Sequence, residues 1–258
     1  MYDKLAQEYD HFVNWKSRLA FEMPFLVGQL DYIKKSKDAT LDILDAACGT
    51  GMHAIALAKL GYQVSGADIS QEMISIANAN ALEHGTNIDF RQAGFGSLSQ
   101  LFGINTCDAV LCLGNSLPHV LSKLELDEVL KDFYNLLKPG GLLILQNRNF
   151  DSIMSKRKRW MEPQAHREGD NEWVFQRFYD FEDAGLIQFN FLTLKRKRGE
   201  NWQVDLTSTL LMPLFVNDLL EQLVQSSFKV ISTLGGLNDE VFDPLKSENL
   251  VIVAQKPF

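Results

Sequence analysis

The sequence predicts an α/β fold in which helices cover both faces of a sheet of seven strands. Three observations support this. Short apolar segments alternate with longer helical segments between residues 41 and 147, a glycine-rich turn follows the first apolar segment, and two further apolar segments close the chain. Strands covered on both faces form continuous apolar runs, as these do. A chain of 258 residues, 46% of them apolar, is long enough to bury one large core.

The first 36 residues place aromatic and apolar side chains at helical spacing, which predicts one or two helices that cap a pocket. LDILDAACGTG then starts at residue 41, and HAIALAKLGY and QVSGADIS follow it. This order predicts a strand, a glycine turn, a helix and a second strand.

The alternation continues along the next seventy residues. It predicts a helix at 71–84, strands at 87–91 and 107–113, a helix at 124–137 and a strand at 142–147. We expect Lys138-Pro139-Gly140-Gly141 to end the last of these helices and to turn the chain into its strand.

Beyond Asn149 the segments become aromatic and charged, and they alternate as strands do. They predict a small antiparallel sheet at about 172–212, with a hairpin turn at 198–201. A helix at 216–227 and strands at 228–233 and 249–256 then rejoin the main sheet. The predicted domains are a helical N-terminal cap at 1–36, a main domain at 37–150 and 213–258, and an inserted substrate or lid region at 151–212.

The net charge of −8 argues against a surface that binds nucleic acid, because contacts with phosphate require a broad cationic face. Two basic runs, at 156–159 and 195–198, are expected to be solvated loop and hairpin positions. The hypothesis of a nucleic-acid substrate would depend on these two runs alone.

Cys48, Cys107 and Cys112 lie in apolar stretches without CxxC spacing, which predicts neither disulfides nor a zinc site. We therefore expect a reducing, cytoplasmic location and no metal. The N-terminus has no basic leader with an apolar core, and no stretch reaches about 18 apolar residues. These features predict a soluble protein without a membrane span.

The turn from Asp45 to Gly51 lies where the first strand meets its helix, which is where open α/β sheets bind ligands. Glycines there allow a ligand to approach the backbone, and Asp68 at the end of the second strand can accept ribose hydroxyls. The pattern predicts an adenosine-containing ligand. Residues 49–54 also fit the dinucleotide motif GxGxxA, but Asp45 disfavours a pyrophosphate and tolerates an amino group. S-adenosylmethionine is favoured, and NAD is the alternative.

The motifs LDAACGTG, ADIS, CDAVLCLGNSLPHV, LKPGGLLIL and NRNFD occur in an order and spacing that resemble the glycine N-methyltransferase family. This family is one of the class I S-adenosylmethionine-dependent methyltransferases, and the resemblance covers residues 1–155. It implies a Rossmann-like seven-stranded methyltransferase sheet, S-adenosyl-L-methionine as cofactor and S-adenosyl-L-homocysteine as product. The cofactor-binding residues that it implies are Tyr9, Arg18, Ala47, Gly49, Gly51, Asp68, Ile69, Met73, Gly94, Phe95, Leu113 and His119.

The resemblance also implies a site for the methyl acceptor. Asn115 and Arg148 match the residues that bind the carboxylate of an amino-acid substrate, and Tyr2 is a further substrate-binding candidate. Both Asn115 and Arg148 follow the carboxyl ends of predicted strands, and a guanidinium can bind a carboxylate bidentately. The alternative for Arg148 is an internal salt bridge, for example with Asp151. Methyl transfer to an amine depends mainly on positioning, so no nucleophile or metal is expected. A hydroxyl or carboxylate acceptor would instead need a base, for which His119 and Tyr2 are the candidates.

Two regions depart from the family. The third strand is followed by Gln92-Ala93-Gly94-Phe95, which lacks the usual side-chain partner of adenine, and Phe191 stands where a substrate-binding tyrosine is expected. Arg177 and Tyr179 are candidate replacements on the substrate side. The acceptor therefore stays open among glycine, sarcosine, dimethylglycine, another small amine and an amino sugar.

We expect a methyltransferase that acts on a small molecule and binds neither nucleic acid nor a membrane. A homo-oligomer is possible. The alternatives are an NAD-dependent oxidoreductase and a non-catalytic protein that binds S-adenosylmethionine.

Overall fold

The computed structural model describes residues 2–34, 40–182 and 185–258. Two helices, α1 (Tyr2–Phe12) and α2 (Trp15–Lys34), precede the first strand, so the prediction of one or two helices is confirmed as two. Helix α2 buries Phe25, Leu26 and Leu30 in the core on one face of the main sheet. Helix α1 is held by polar contacts, because Asp10 accepts hydrogen bonds from Thr50 at 2.8 Å and from Trp15 at 2.6 Å.

The main sheet has seven strands, as the sequence predicts. Its strands are β1 (Asp42–Asp45), β2 (Gln63–Asp68), β3 (Asp89–Gln92), β4 (Cys107–Cys112), β5 (Leu137–Arg148), β10 (Lys229–Leu234) and β11 (Asn249–Gln255). Their order is β10-β11-β5-β4-β1-β2-β3. The first five strands are parallel, whereas β11 pairs antiparallel with β5 and β10 antiparallel with β11. The strand order reverses at β1 and β4, which is the position where open sheets bind ligands.

Helices cover both faces of this sheet. They are α3 (Met52–Lys59), α4 (Gln71–Glu83), α5 (Leu98–Phe102), α6 (Lys123–Leu136) and α8 (Val216–Gln225). Alternate side chains of one strand enter different cores, since Leu111 packs with α2 and α3 while Val110 packs with α6 and α8. In the described part of the chain, no helix is both long enough and apolar enough to cross a membrane.

The Lys138–Gly141 segment differs from the prediction. Helix α6 ends at Leu136 and β5 starts at once, so the strand runs from Leu137 to Arg148 rather than from 142 to 147. The segment forms a bulge, because the β4 partner changes from Leu137 opposite Cys107 to Leu142 opposite Ala109. Lys138 holds the bulge through Asp42 at 2.6 Å and Asp108 at 2.9 Å. These two ion pairs keep the segment against the sheet where a free turn was expected.

A separate antiparallel sheet follows helix α7 (Phe150–Lys156), which confirms the expected inserted sheet. Its strands are β6 (Gln164–Glu168), β7 (Asn171–Phe181), β8 (Ile187–Lys197) and β9 (Gln203–Leu211), paired in that order. The prediction of a sheet at 172–212 missed β6, whose sequence QAHRE has no alternation of apolar and polar residues and buries no side chain.

The second sheet packs against α1 and α7. On the α1 side, Leu5 joins Trp173, Phe175 and Phe191 in one apolar cluster. On the α7 side, Phe150 and Ile153 pack with residues of β7, β8 and β9. The ring of His11 also stacks on Trp173, with centroids 4.3 Å apart. Helix α1 therefore lies between the two sheets.

Gly51 is expected to stabilise the fold by close packing. Its φ is 81°, and a Cβ there would lie 2.7 Å from Cζ of Phe90. Gly61 has φ 91° but nothing within 4 Å, so it is a matched control. Each change to alanine should lower the free energy of unfolding by about 1–2 kcal/mol, because the backbone is left-handed. Gly51→Ala adds the clash of its Cβ with the Phe90 ring. Urea unfolding should show the larger loss for Gly51→Ala; equal losses would contradict this role.

Candidate functional site

A cavity of about 530 Å³ lies at the carboxyl ends of β1, β2 and β4, and we call it the larger cavity. Its walls include the turn after β1, the end of β2 and the segment after β3. It brings together eleven of the twelve predicted cofactor residues: Tyr9, Arg18, Ala47, Gly49, Asp68, Ile69, Met73, Gly94, Phe95, Leu113 and His119. Gly51 does not line it, and a Cβ at this position would point at Phe90 and Ala77.

Asp68 is fixed by the backbone around it. Its Oδ2 accepts a hydrogen bond from the Gly49 N–H at 2.9 Å, and its Oδ1 accepts one from the Ser70 N–H at 2.9 Å. Burial raises the pKa of Asp68, although these backbone bonds act in the opposite direction. Carboxylate oxygens accept more than one hydrogen bond each, so Asp68 can still accept ligand hydroxyls.

Asp45 lies at the floor of the larger cavity with 2% of its surface exposed. No described residue donates a hydrogen bond to its Oδ2. Burial raises the pKa of Asp45 to about 6, and the charge of Asp68 acts in the same direction. A buried carboxylate oxygen without a partner is costly, and a cationic ligand group would offset that cost.

Arg18 is anchored on the inner side of α2 rather than on the surface. Its Nε donates to Oε2 of Glu22 at 3.1 Å, and the same oxygen lies 2.6 Å from Nε2 of His53. Burial pushes the pKa of Glu22 upward, but the His53 hydrogen bond and the Arg18 charge outweigh it and the pKa is lowered. Glu22 thus stays ionised and orients the guanidinium, which also donates a hydrogen bond to Tyr9 and lines the larger cavity.

The wall of the larger cavity where the sequence predicts adenine is apolar. Phe95 lines it and packs edge-on against Phe133 with centroids 5.7 Å apart, while the Ile69 side chain is 69% exposed. The Gln92 amide donates to the Ile69 carbonyl at 3.1 Å. Gln92 is therefore engaged with the backbone, which leaves apolar contact as the main interaction that this wall can offer.

A second cavity of about 280 Å³ adjoins the first, and we call it the smaller cavity. Tyr9, Arg18, Gly114 and His119 line both cavities, so these residues mark the boundary between them. The ends of β4 and β5, helix α1 and the second sheet supply the remaining walls. A ligand in the smaller cavity would lie next to a ligand in the larger one.

The turn at Gly114-Asn115 joins the ends of β4 and β5. Both residues have left-handed backbone, with φ 71° and 69°. The Asn115 N–H donates to the Gln146 carbonyl at 3.0 Å, and Oδ1 of Asn115 accepts from the Arg148 N–H at 2.8 Å. The side-chain oxygen is used within the protein, so the amide NH₂ of Asn115 is the group left for a ligand.

Asn115 and Arg148 line the same smaller cavity, as their predicted partnership requires. Arg148 donates from Nη1 to Oδ1 of Asn249 at 3.3 Å, and its Nε has no partner among the described residues. The alternative salt bridge with Asp151 is absent from the described residues, because Asp151 accepts from the Val216 N–H instead. The charge of Arg148 is therefore available to a ligand.

Two residues of the second sheet, Arg177 and Tyr179, also line the smaller cavity. Arg177 stacks on Phe12 at 4.6 Å, and burial together with the charge of Arg148 lowers the pKa of Arg177 to about 10. Burial raises the pKa of Tyr179 to about 12, so its hydroxyl stays protonated. The sequence had suggested both as replacements on the substrate side.

His119 and Phe191 have limited chemical roles here. Burial lowers the pKa of His119 to about 4, so its imidazole is neutral at physiological pH and is a weak base. Phe191 is 4% exposed and packs edge-on against Phe12 at 5.1 Å. Tyr2 belongs to α1, but its side chain lies outside the described part of the chain.

Asn147 was missed from the sequence. It is 1% exposed and lines the smaller cavity, and neither Nδ2 nor Oδ1 has a hydrogen-bond partner among the described residues. An amide buried in this way costs free energy unless a ligand or water satisfies it. The signal in the sequence was a pair of amides, Gln146-Asn147, at the end of an apolar strand.

Comparisons with known proteins show which family the chain belongs to. The family model of a methyltransferase domain matches residues 43–141. A glycine/sarcosine N-methyltransferase from Aphanothece halophytica is 32% identical over 205 residues, which cover 74% of this chain and 73% of that protein. The chain belongs to the class I S-adenosylmethionine-dependent methyltransferases. The methyl donor of this methyltransferase is therefore S-adenosylmethionine, and NAD is disfavoured.

Two further similarities support less, because one covers only part of the relative and the other has low sequence identity. A glycine/sarcosine N-methyltransferase from Halorhodospira halochloris is 36% identical over 153 residues, and the alignment spans 59% of this methyltransferase and only 54% of that relative. A solved S-adenosylmethionine-dependent methyltransferase from Clostridium acetobutylicum has a TM-score of 0.78 at 19% identity, covering 100% of this chain and 99% of that one. The latter similarity confirms the fold alone.

The Asp45 pKa predicts pH-dependent cofactor binding. If ionised Asp45 attracts the cofactor ammonium, affinity for S-adenosylhomocysteine should fall about tenfold between pH 7 and pH 5, because protonation near pH 6 removes the charge. Without ligand the sign reverses: the folded state binds this proton more tightly, so stability rises as pH falls from about 6 toward 3.8. In Asp45→Asn, the affinity for S-adenosylhomocysteine measured by calorimetry should not change between pH 7 and pH 5. If the affinity of this variant still falls as it does in the unchanged protein, another group is responsible for the pH dependence.

Asn147→Leu should separate stability from acceptor use. No hydrogen bond within the described protein is lost, so the free energy of unfolding should stay equal or rise, while kcat/KM for the acceptor falls about tenfold. Asn149→Leu is the matched control, because Asn149 is equally buried but donates to the Ser247 carbonyl at 2.8 Å and accepts from the Ser152 N–H at 3.1 Å. Equal destabilisation of both variants would make Asn147 a structural residue.

Proposed function

We propose that this methyltransferase methylates the nitrogen of a small amine that carries a carboxylate, such as glycine, sarcosine or a related amino acid. The observation that carries the proposal is the guanidinium of Arg148. It has no carboxylate partner among the described residues, and it lines a cavity that shares a wall with the cofactor cavity. A partly buried cation without an acidic partner binds an anionic ligand group favourably.

The residues of the larger cavity fit S-adenosylmethionine. Asp68 is positioned to accept the ribose hydroxyls, the unpartnered Oδ2 of Asp45 suits the ammonium group, and Arg18 suits the carboxylate. Phe95 and Ile69 offer an apolar wall to the adenine. Bound there, the cofactor supplies a methyl group that its sulfonium already activates.

The residues of the smaller cavity then act by positioning. Arg148 and the Asn115 NH₂ hold the carboxylate of the acceptor, and Oδ1 of Asn147 accepts a hydrogen bond from its amine N–H. The amine must be neutral to react, and a neutral amine needs orientation more than it needs a strong base. This agrees with the low pKa of His119 and with the protonated Tyr179.

Water is excluded by the elements that close over the site. Helix α1 contributes Leu5, Tyr9 and Phe12 to the smaller cavity, and the second sheet contributes Phe189 and Phe191. We propose that the N-terminal helices and the inserted region act as the substrate-binding part of the protein. The names of the relatives from Aphanothece and Halorhodospira support an amino-acid acceptor, because both are glycine/sarcosine N-methyltransferases.

Arg148→Ala should raise the Michaelis constant for the acceptor by at least about tenfold and change that for S-adenosylmethionine little, because a charged hydrogen-bond partner of the carboxylate is lost. The measurement is methyl transfer from radiolabelled S-adenosylmethionine to glycine, sarcosine and other small amines. Arg198→Ala, at an exposed position in the turn between β8 and β9, is the control and should behave as the unchanged protein.

Two results would contradict the proposal. Equal effects of Arg148→Ala on both Michaelis constants would make Arg148 structural. Binding of the cofactor without transfer to any amine in the panel would indicate a protein that binds S-adenosylmethionine and does not turn it over.

A further inference from the structure

Two arginines, not one, face the smaller cavity without a carboxylate partner. Arg148 comes from the end of β5, and Arg177 comes from β7 on the opposite wall. From this pairing we infer that the acceptor is a small amine with two acidic groups, an aminodicarboxylate, in which Arg148 binds one carboxylate and Arg177 binds the other. The inference rests on the proposed function and narrows its substrate class.

The charges that line the smaller cavity do not balance. Its ionisable lining comprises Arg18, Glu22, Arg148 and Arg177, together with the neutral Tyr9, His119 and Tyr179. Glu22 is already paired with Arg18 at 3.1 Å and contacts His53 at 2.6 Å. Two positive charges therefore remain, and a ligand with one carboxylate would offset only one of them.

Acidic side chains on the surrounding elements are engaged elsewhere. Glu8 of α1 pairs with Lys195, Asp180 of β7 pairs with Arg159, and Glu172 of β7 pairs with Arg196 and Arg167. Asp10 accepts from Thr50 and Trp15, and Asp151 accepts from the Val216 N–H. Within the described ranges, none of these carboxylates forms an ion pair with Arg148 or Arg177.

Arg177 is held in a position from which it can reach a ligand. Its guanidinium stacks on the ring of Phe12 at 4.6 Å, and its Nε has no hydrogen-bond partner among the described residues. Tyr179 lies two positions along the same strand, so both side chains are on one face of β7 and both line the cavity. The protonated hydroxyl of Tyr179 is a second donor for the same acidic group.

The electrostatics of the two arginines support an anion between them. Burial lowers the pKa of Arg177, and the positive charge of Arg148 acts in the same direction, because two like charges near one another repel. A second carboxylate on the ligand would relieve this repulsion, because a charge removed from water without a partner of opposite sign costs free energy.

The smaller cavity also has room for an acceptor longer than glycine. Its volume of about 280 Å³ far exceeds the ~10–15 Å³ that a cavity needs to hold one water. The first carboxylate would lie near Asn115 and Arg148 at the ends of β4 and β5. The second would lie toward the inserted sheet, where the family's tyrosine is replaced by the buried Phe191.

The test compares acceptors that differ in charge but hardly in shape. Transfer of the radiolabelled methyl group is measured with L-aspartate against L-asparagine and with L-glutamate against L-glutamine. In at least one pair we expect kcat/KM for the acid to exceed that for the amide at least about tenfold. Arg177→Gln should reduce that ratio to near one, Arg177→Lys should keep part of it, and the exposed Arg198→Gln should leave it unchanged.

A binding measurement separates this inference from the proposed function. Calorimetry on protein loaded with S-adenosylhomocysteine should show tighter binding of the preferred acid than of its amide, and Arg177→Gln should abolish the difference while thermal unfolding confirms that the variant is folded. Equal acid and amide values in both assays would overturn the inference even if glycine is methylated. Selective binding of the acid without any methyl transfer would overturn the proposed function and leave the two-carboxylate site supported.

Discussion

The site depends on one hydrogen bond, from the Arg148 N–H to Oδ1 of Asn115, which joins the ends of two neighbouring parallel strands. It forms because β4 breaks at Gly114-Asn115 into left-handed backbone and turns its amide toward β5. Gln146 strengthens the same connection, since its carbonyl accepts from the Asn115 N–H and its Oε1 accepts from the Gly114 N–H. These bonds use backbone and amide groups only, so the guanidinium of Arg148 is positioned without being neutralised.

The second constraint is the enclosure of this strand edge by elements outside the main sheet. Asp10 fixes α1 to the glycine turn through Thr50, while Leu5 and Phe12 pack on the second sheet. Arg18 and Tyr9 then lie at the boundary of the two cavities. The residues proposed to bind the cofactor and those proposed to bind the acceptor thus meet across one wall, which is the arrangement that direct transfer between two bound molecules needs.

Much of the fold was predictable, because the apolar strands, the glycine turn and the placement of Asn115 and Arg148 at the ends of neighbouring strands follow from patterns with a clear physical cause. The misses have causes of their own. Strand β6 buries no side chain and therefore has no pattern, and the bulge at Lys138 depends on ion pairs with residues far away in the chain. The unpartnered state of Asn147 and the approach of Arg177 to Arg148 are tertiary facts, which one segment of sequence does not contain.

The most direct test of the central claim is a crystal structure of the methyltransferase with S-adenosylhomocysteine and an amino-acid acceptor. The account predicts the acceptor in the smaller cavity, with a carboxylate on Arg148 and the Asn115 NH₂. Its nitrogen should point past Tyr9 and Gly114, within about 3–3.5 Å of the position that the transferred methyl carbon would occupy. An acceptor bound elsewhere, or a guanidinium of Arg148 turned onto an acid of the protein itself, would contradict the account.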